Sequence, residues 1–242
     1  LTLNEEMYVA RPPLFSNVIT FDHYIDLIYN TSFMHNVWNS FVIAAITTII
    51  CLAIGILGSY AMTRLKYPGR SFFRNSIIIS YLMPTAVLFV PMYVFVSSLG
   101  FYDNKYALLI IYPTFVVPYC CYMLISYFKA IPYALEEAAL IDGCNRLQTL
   151  WYIIMPIALP GIAVVATFAF TMAWNEYLYA MIMTTSNVQK TATVAISGFK
   201  YADSAIWGRI MSASVVCSLP VTLLYIAAQS MLISGKYEGS VK

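Results

Sequence analysis

The side chains of this sequence that could do chemistry are few, and their spacing points away from catalysis. Asp and Glu total 11, Lys and Arg 13, and the only histidines are His23 and His35. Cys51, Cys120, Cys121, Cys144 and Cys217 show no metal-ligand spacing and lie away from both histidines, so no structural zinc site is expected. There is no glycine-rich phosphate loop ending in Lys-Ser or Lys-Thr, no His-Glu-x-x-His, no serine elbow and no spaced pair of catalytic carboxylates. The expectation is a chain with no catalytic, cofactor-binding or metal-binding residue. Two acidic positions remain. Glu136 and Glu137 stand side by side in a polar stretch, where they can pair with cations of a partner. Glu176 borders the long apolar run that ends at Asn175, and an ionisable group at membrane depth is a functional-site hypothesis by default.

The elements that must hold these residues follow from composition. Of 242 residues, 61% are hydrophobic and 10% charged, against about a quarter charged in soluble domains. Mean hydropathy is +0.74. A soluble fold of this size needs a polar shell that this chain cannot supply, so the expected class is all-α, a polytopic helical membrane protein. A net charge of +2 gives nucleic acid little to bind.

Uncharged runs cover residues 41–63, 75–102, 106–128, 147–175 and 210–235. Each is long enough to cross a hydrocarbon core as a helix, and none alternates like a barrel strand. Pro84 and Pro91, Pro113 and Pro118, and Pro220 fall inside these runs and predict bends. Basic residues set the orientation. Arg64, Lys66, Arg70 and Arg74 form an acid-free cluster after the first run, and Lys129, Arg146, Lys236 and Lys242 fall on the same side. Fewer lie on the other side, at Arg11, Lys105, Lys190, Lys200 and Arg209. Residues 1–40 are then extracytoplasmic, 41–235 the transmembrane domain and 236–242 a cytoplasmic tail. The chain opens Leu1-Thr2-Leu3 with no signal-peptide pattern, and an external start implies one further span upstream, six in all.

The cytoplasmic segment 129–146 does not read as a loop. Pro132 suits a first helical position, Glu136 and Glu137 suit the first turns, and Gly143 suits a helix stop. A helix of about ten residues is expected within 133–146. Small Ala138 and Ala139 would let another backbone approach, with the acids pairing to a partner's cations.

Glu137-Ala138-Ala139, then Gly143, then Ile153 and Met155-Pro156, resembles the EAA motif of ABC importer permeases, with Met155 where that motif has leucine. Trp174-Asn175-Glu176-Tyr177-Leu178-Tyr179-Ala180 and Leu65-Lys66-Tyr67-Pro68-Gly69-Arg70 resemble segments of the maltose-system, MalG-like carbohydrate permeases. The resemblance implies a type I importer fold of six spans, five of them visible here. It implies that Glu137, Ala138, Ala139, Asp142 and Gly143 dock a cytoplasmic ATPase, and that Trp174, Asn175, Glu176 and Tyr177 lie at the translocation pathway or outer gate. The implied partners are a second permease subunit in a heterodimer, two ATP-binding subunits, an extracytoplasmic sugar-binding protein and the lipid bilayer. ATP and Mg would be used by the partner ATPase, and the location would be a bacterial or archaeal cytoplasmic membrane. The same architecture with glycerol phosphate, a polyamine or phosphate as cargo is an alternative, though the spans offer almost no countercharge. A secondary transporter would need inverted repeats and a midplane acid, and neither is visible.

Overall fold

The structure is a computed structural model and describes residues 20–201, 204–205 and 207–238. A short helix, α1 (Asp22–Tyr29), precedes the long α2 (Phe33–Arg64). Helix α2 begins at Phe33, inside the stretch 1–40 read from sequence as extracytoplasmic; residues 1–19 of that stretch lie outside the described residues. Helix α2 runs unbroken to Arg64 and ends at Leu65, whose backbone is extended, three residues ahead of Pro68. Arg70 closes the exposed end of α2. Its Nε donates to Met62 O at 2.6 Å, Nη2 to Thr63 O at 2.8 Å and Nη1 to Leu65 O at 3.2 Å.

The second apolar run is not one helix. Met83 is extended ahead of Pro84, and α3 (Arg70–Leu82) meets the 3-10 turn Thr85–Leu88 and α4 (Phe89–Ser98) at a 93° bend. Proline removes a donor and clashes with the preceding turn, which explains the break. The third run bends by 41° between the segment Lys105–Ile111, which includes α5 (Leu108–Ile111), and α6 (Pro113–Ala130), at a proline that again lacks a donor. Helix α7 (Ala134–Ile141) lies between this run and the next. The fourth span runs from α8 (Arg146–Thr149) through a π-helical turn, Leu150–Ile154, into α9 (Met155–Trp174). The wider turn falls just before Pro156, where an α-helical carbonyl would meet the proline ring. Then come α10 (Leu178–Met183), α11 (Ala192–Ser197), the two-residue strands β1 (Lys200–Tyr201) and β2 (Ser204–Ala205), paired antiparallel, and α12 (Trp207–Glu238). Among the described residues three helices are long and apolar enough to cross a membrane, or up to 5 if each bent pair is one span. Counting each bent pair as one span gives the five expected from sequence, with the second and third reshaped by proline.

Helix α2 packs along α6 and α9, and α9 also lies against α12. At Gly55 an added Cβ would stand 3.0 Å from Cys120 Cβ, so the glycine lets α2 and α6 come close without a shift of either. Toward one end the core is built of Ile43, Leu108, Ile111, Tyr112, Phe170 and Trp174; toward the other, of Cys51, Tyr60, Leu124, Phe128, Leu150 and Ile154. The five cysteines are free thiols, three of them buried.

Candidate functional site

Basic residues gather at one end of the bundle around α7. The helix starts at Ala134, so Pro132 precedes the helix rather than opening it, and the sequence estimate of ten residues shortens to 8. Its end is a Schellman motif. Cys144 N donates to Ala139 O at 3.0 Å and Gly143 N to Leu140 O at 3.2 Å, with Gly143 at φ 90°. A side chain at Gly143 would be strained in this left-handed conformation, although the space around it is open. The next helix is capped at once. Asn145 accepts from Gln148 N at 2.9 Å, and the Gln148 side chain accepts from Asn145 N at 2.8 Å. The polar stretch 133–149 is therefore two helices locked by a tight corner.

Of the five residues predicted to dock, Glu137, Ala138, Asp142 and Gly143 are exposed. Ala139 is not. It is 5% exposed and faces the bundle, so the expected two-alanine approach surface reduces to Ala138. The reason is helical spacing, because Ala139 lies three residues from Glu136, which is fully buried. Sequence reasoning read Glu136 as a second docking acid. Instead Glu136 Oε1 stands 2.6 Å from Arg64 Nε, at the end of α2, and Oε2 stands 3.8 Å from Arg146 Nη1. Arg64 Nη2 also donates to Phe128 O and to Ile131 O, each at 2.7 Å. One guanidinium thus ties together α2, the end of α6 and α7. Burial pushes the Glu136 carboxyl above its ordinary value, opposed by the Arg64 and Arg146 charges and the Tyr60 hydroxyl. The sequence signal for this was the placement of Glu136 and Ala139 on one face of a short helix, with Arg64 read only as an orienting charge.

The second group of predicted residues lies where α9 ends. Trp174 is buried at 3% exposure and stacks on Phe170, so it is core rather than lining. Asn175 is exposed, and Tyr177 is half-buried. Glu176, also half-buried, acts as a cap. Its Oε1 accepts from Tyr179 N at 2.9 Å, and Oε2 accepts from Ala180 N at 3.1 Å and from the Tyr112 hydroxyl at 3.0 Å. The Glu176 carbonyl accepts from Thr193 Oγ1 at 2.8 Å. The carboxylate starts α10 and binds it to the bend at Tyr112.

A third set joins Asn36 and Asp103, not singled out from sequence, to Asn39 and Ser40, which share the resemblance to the carbohydrate permeases, and to Lys105 and Arg209, read from sequence only as orienting charges. Asn36 Nδ2 donates to Asn187 O and Lys190 O, and Asn39 Nδ2 to Val188 O and Lys190 O, all between 2.8 and 3.0 Å. Lys105 Nζ donates to Asn39 Oδ1 at 2.7 Å, and Ser40 Oγ accepts from Ala192 N at 2.8 Å. Asp103, at φ 49°, accepts from Thr185 N at 2.7 Å and Ser186 N at 2.9 Å. These backbone bonds hold its carboxyl below the ordinary value. At the same end Arg209 pairs with Asp26. Two buried asparagines one turn apart are the signal that could have marked α2 as the anchor of the 184–192 loop.

Among the described residues, no three His, Cys, Asp or Glu side chains are grouped to hold a metal ion. Residues 53–235 match the family described as binding-protein-dependent transport system inner membrane component. The chain is 36% identical over 241 residues to the inner membrane ABC transporter permease protein YcjP of Escherichia coli, covering 98% of this chain and 86% of that protein. It is 30% identical to the trehalose transport system permease protein SugB of Mycobacterium tuberculosis, with 100% and 89% covered. It is also 30% identical to the trehalose/maltose transport system permease protein MalG of Thermococcus litoralis, with 95% and 84% covered. Among solved structures, a bacterial ABC transporter involved in import of the acidic polysaccharide alginate superposes with a TM-score of 0.78 at 21% identity, covering 95% of this chain and 85% of that one. The MetNI methionine ABC transporter in an inward-facing conformation gives a TM-score of 0.69 at 16% identity, with 90% and 99% covered.

Proposed function

The chain belongs to the family of binding-protein-dependent transport system inner membrane components, and from that membership we propose that it is a membrane subunit of an ATP-driven sugar importer. It is a multi-pass inner membrane protein and carries the permease role, with ATP hydrolysis left to a partner. The observation that supports a sugar as cargo is the identity of at least 30%, over nearly the whole chain, to permeases named for trehalose and maltose. Glycerol phosphate and phosphate would want fixed positive charge within the spans, where the uncharged runs carry no Lys or Arg, and a polyamine would want negative charge, for which Glu176 at the end of its run is already engaged as a cap.

In this reading two permease subunits form a heterodimer that gives alternating access across a bacterial or archaeal cytoplasmic membrane. Two cytoplasmic subunits bind ATP and Mg, this chain binds neither, and an extracytoplasmic sugar-binding protein delivers the cargo. Exposed Glu137, Ala138, Asp142 and Gly143 form the docking face, and Ala139 fixes the helix beneath it. Docking on α7 is supported by its anchorage, since Arg64 ties that helix to the ends of α2 and α6 and gives a stiff joint. Shifting an inward–outward equilibrium from 1:99 to 99:1 takes about 5.5 kcal/mol, which a compliant loop would dissipate. Asn175, Glu176 and Tyr177 stand at the outer gate, with Trp174 packed behind them.

The test is reconstitution of the complex with its ATPase, paired permease and binding protein in vesicles. Uptake of radiolabelled trehalose or maltose that requires both ATP and the binding protein is expected. ATP hydrolysis stimulated by a binding protein loaded with an ion or amino acid, with no sugar uptake, would overturn the sugar reading.

A further inference from the structure

Tyrosines in membrane proteins concentrate at the interfaces, where the ring is buried and the hydroxyl is wet. Three tyrosines here break that rule. Tyr119 and Tyr122 lie in the middle of α6, and Tyr81 lies one residue before the end of α3, next to the 93° bend. They form a continuous aromatic surface. Tyr81 stacks on Tyr122 at 5.2 Å and 10°, Tyr81 meets Tyr119 at 6.0 Å, and Tyr119 meets Phe168 of α9 at 6.1 Å. Tyr81 and Tyr122 are each 40% exposed and Phe168 is 44% exposed, so the ring faces are open.

Within the described residues the hydroxyls of Tyr81, Tyr119 and Tyr122 donate no hydrogen bond. A hydroxyl set within a span, with no partner among the described residues, carries a desolvation cost unless something polar comes to it. Simple core filling would use phenylalanine or leucine. The surface also runs on into a concavity. Phe168 lines a cavity of about 200 Å³ between α9 and α12 that includes Thr167, Tyr225 and Gln229, a second set of hydrogen-bonding groups set deep among apolar residues. Flat aromatic faces beside scattered neutral donors and acceptors, with no charge among them, suit a pyranose ring, whose apolar C–H face stacks and whose hydroxyls need partners.

We propose that Tyr81, Tyr119, Tyr122 and Phe168 form a stacking track for sugar rings at mid-depth in the transport path, with Thr167, Tyr225 and Gln229 receiving the sugar hydroxyls at its inner end. This rests on the reading of the chain as a sugar permease and adds the residues that carry the cargo past the gate. The 93° bend serves this role by turning α3 so that Tyr81 meets the rings of α6.

The experiment uses the whole complex in vesicles with its binding protein, and radiolabelled trehalose and maltose as probes. Tyr81→Leu and Tyr122→Leu keep apolar bulk and remove the flat face; Tyr122→Phe keeps the face. The leucine variants are expected to lower sugar uptake about fivefold, the range of an aromatic stacking contact. Binding-protein-stimulated ATP hydrolysis should stay within about twofold of the parent, because α7 is untouched. Tyr122→Phe should restore at least half of the uptake. A purely structural role would depress uptake and hydrolysis together, and that result overturns the track. Parent-level uptake by both leucine variants also overturns it. Hydrolysis in the parent complex stimulated by a binding protein loaded with an ion or amino acid, with no sugar uptake, overturns the sugar reading itself, and the track with it.

Discussion

Glu136 and Arg64 meet at 2.6 Å, one on the short helix α7 and the other on the last turn of α2, and both are nearly sealed from solvent. Removing one partner of a buried pair leaves a charge with no compensation, at a cost of about 3–5 kcal/mol. Glu136→Gln should therefore destabilise the assembled complex by that order, read as a lower midpoint of thermal inactivation. The double variant Arg64→Leu, Glu136→Leu should recover only part of it, because Phe128 O and Ile131 O lose their donor. Full recovery would mean that Arg64 matters only through the ion pair.

The docking face should respond to charge and size on its exposed side alone. Glu137→Lys and Ala138→Trp are expected to reduce binding-protein-stimulated hydrolysis and uptake roughly tenfold or more while the protein accumulates normally, since a reversed charge repels its partner and leaves it unpaired. Ala139→Trp should instead lower the amount of folded protein, because Ala139 points into the bundle. Quantifying membrane-inserted protein beside activity separates the two. Full stimulation in Glu137→Lys would remove the docking role.

Gly143 is held at φ 90°, and a Cβ there costs about 1–2 kcal/mol. Gly143→Ala should loosen the corner between α7 and α8 and reduce coupling, and Gly143→Asn, which tolerates the left-handed region, should do less harm. Gly143→Pro should be the most severe, since proline also removes the bond to Leu140 O. The ratio of sugar carried to ATP hydrolysed is the measurement.

Glu176→Ala should strip the cap from α10 and leave the buried Tyr112 hydroxyl unpaired, destabilising that end of the bundle by about 1–3 kcal/mol. Tyr112→Phe, which removes the hydroxyl along with its need for a partner, should cost less. Comparing the denaturation midpoints of the two variants in detergent checks the order.

Asp103 gives a pH dependence at the opposite end. Its folded-state carboxyl is depressed by the amides of Ser186 and Thr185, so its contribution is complete above the ordinary carboxylate value and is lost as pH falls through the depressed one. Protection of those two amides from hydrogen exchange, corrected for intrinsic rates, should drop on acidification. Asp103→Ala should show low protection at every pH, and should also suffer from its positive φ.

Much of this architecture was legible in the chain because hydrophobic runs and basic clusters are averages over many residues. The run 147–175 fits the continuous helix Arg146–Trp174 almost residue for residue. The second run misled because hydropathy does not register direction, and a single Pro84 turns it by 93°. At the site, sequence found α7 and its glycine stop, both local signals. It could not assign Glu136 inward and Glu137 outward, because that choice depends on Arg64, which is distant in the chain and close in space. The anchoring role of Asn36 and Asn39 was missed for the same reason, since their partners are carbonyls of a loop far along the chain.

The three carbonyls gripped by Arg70 bear on how the protein is made. During insertion a basic residue at this position is an address, read by the membrane machinery as charge alone, and a lysine would serve as well. After insertion the same side chain becomes a clasp on Met62, Thr63 and Leu65, a task that needs the planar fork of a guanidinium. Topogenesis and maturation thus draw on one residue at two different times. Arg70→Lys would keep the polypeptide threaded in the right direction yet leave the end of α2 frayed, giving a chain that quality control meets as a late folding defect rather than a misrouted one.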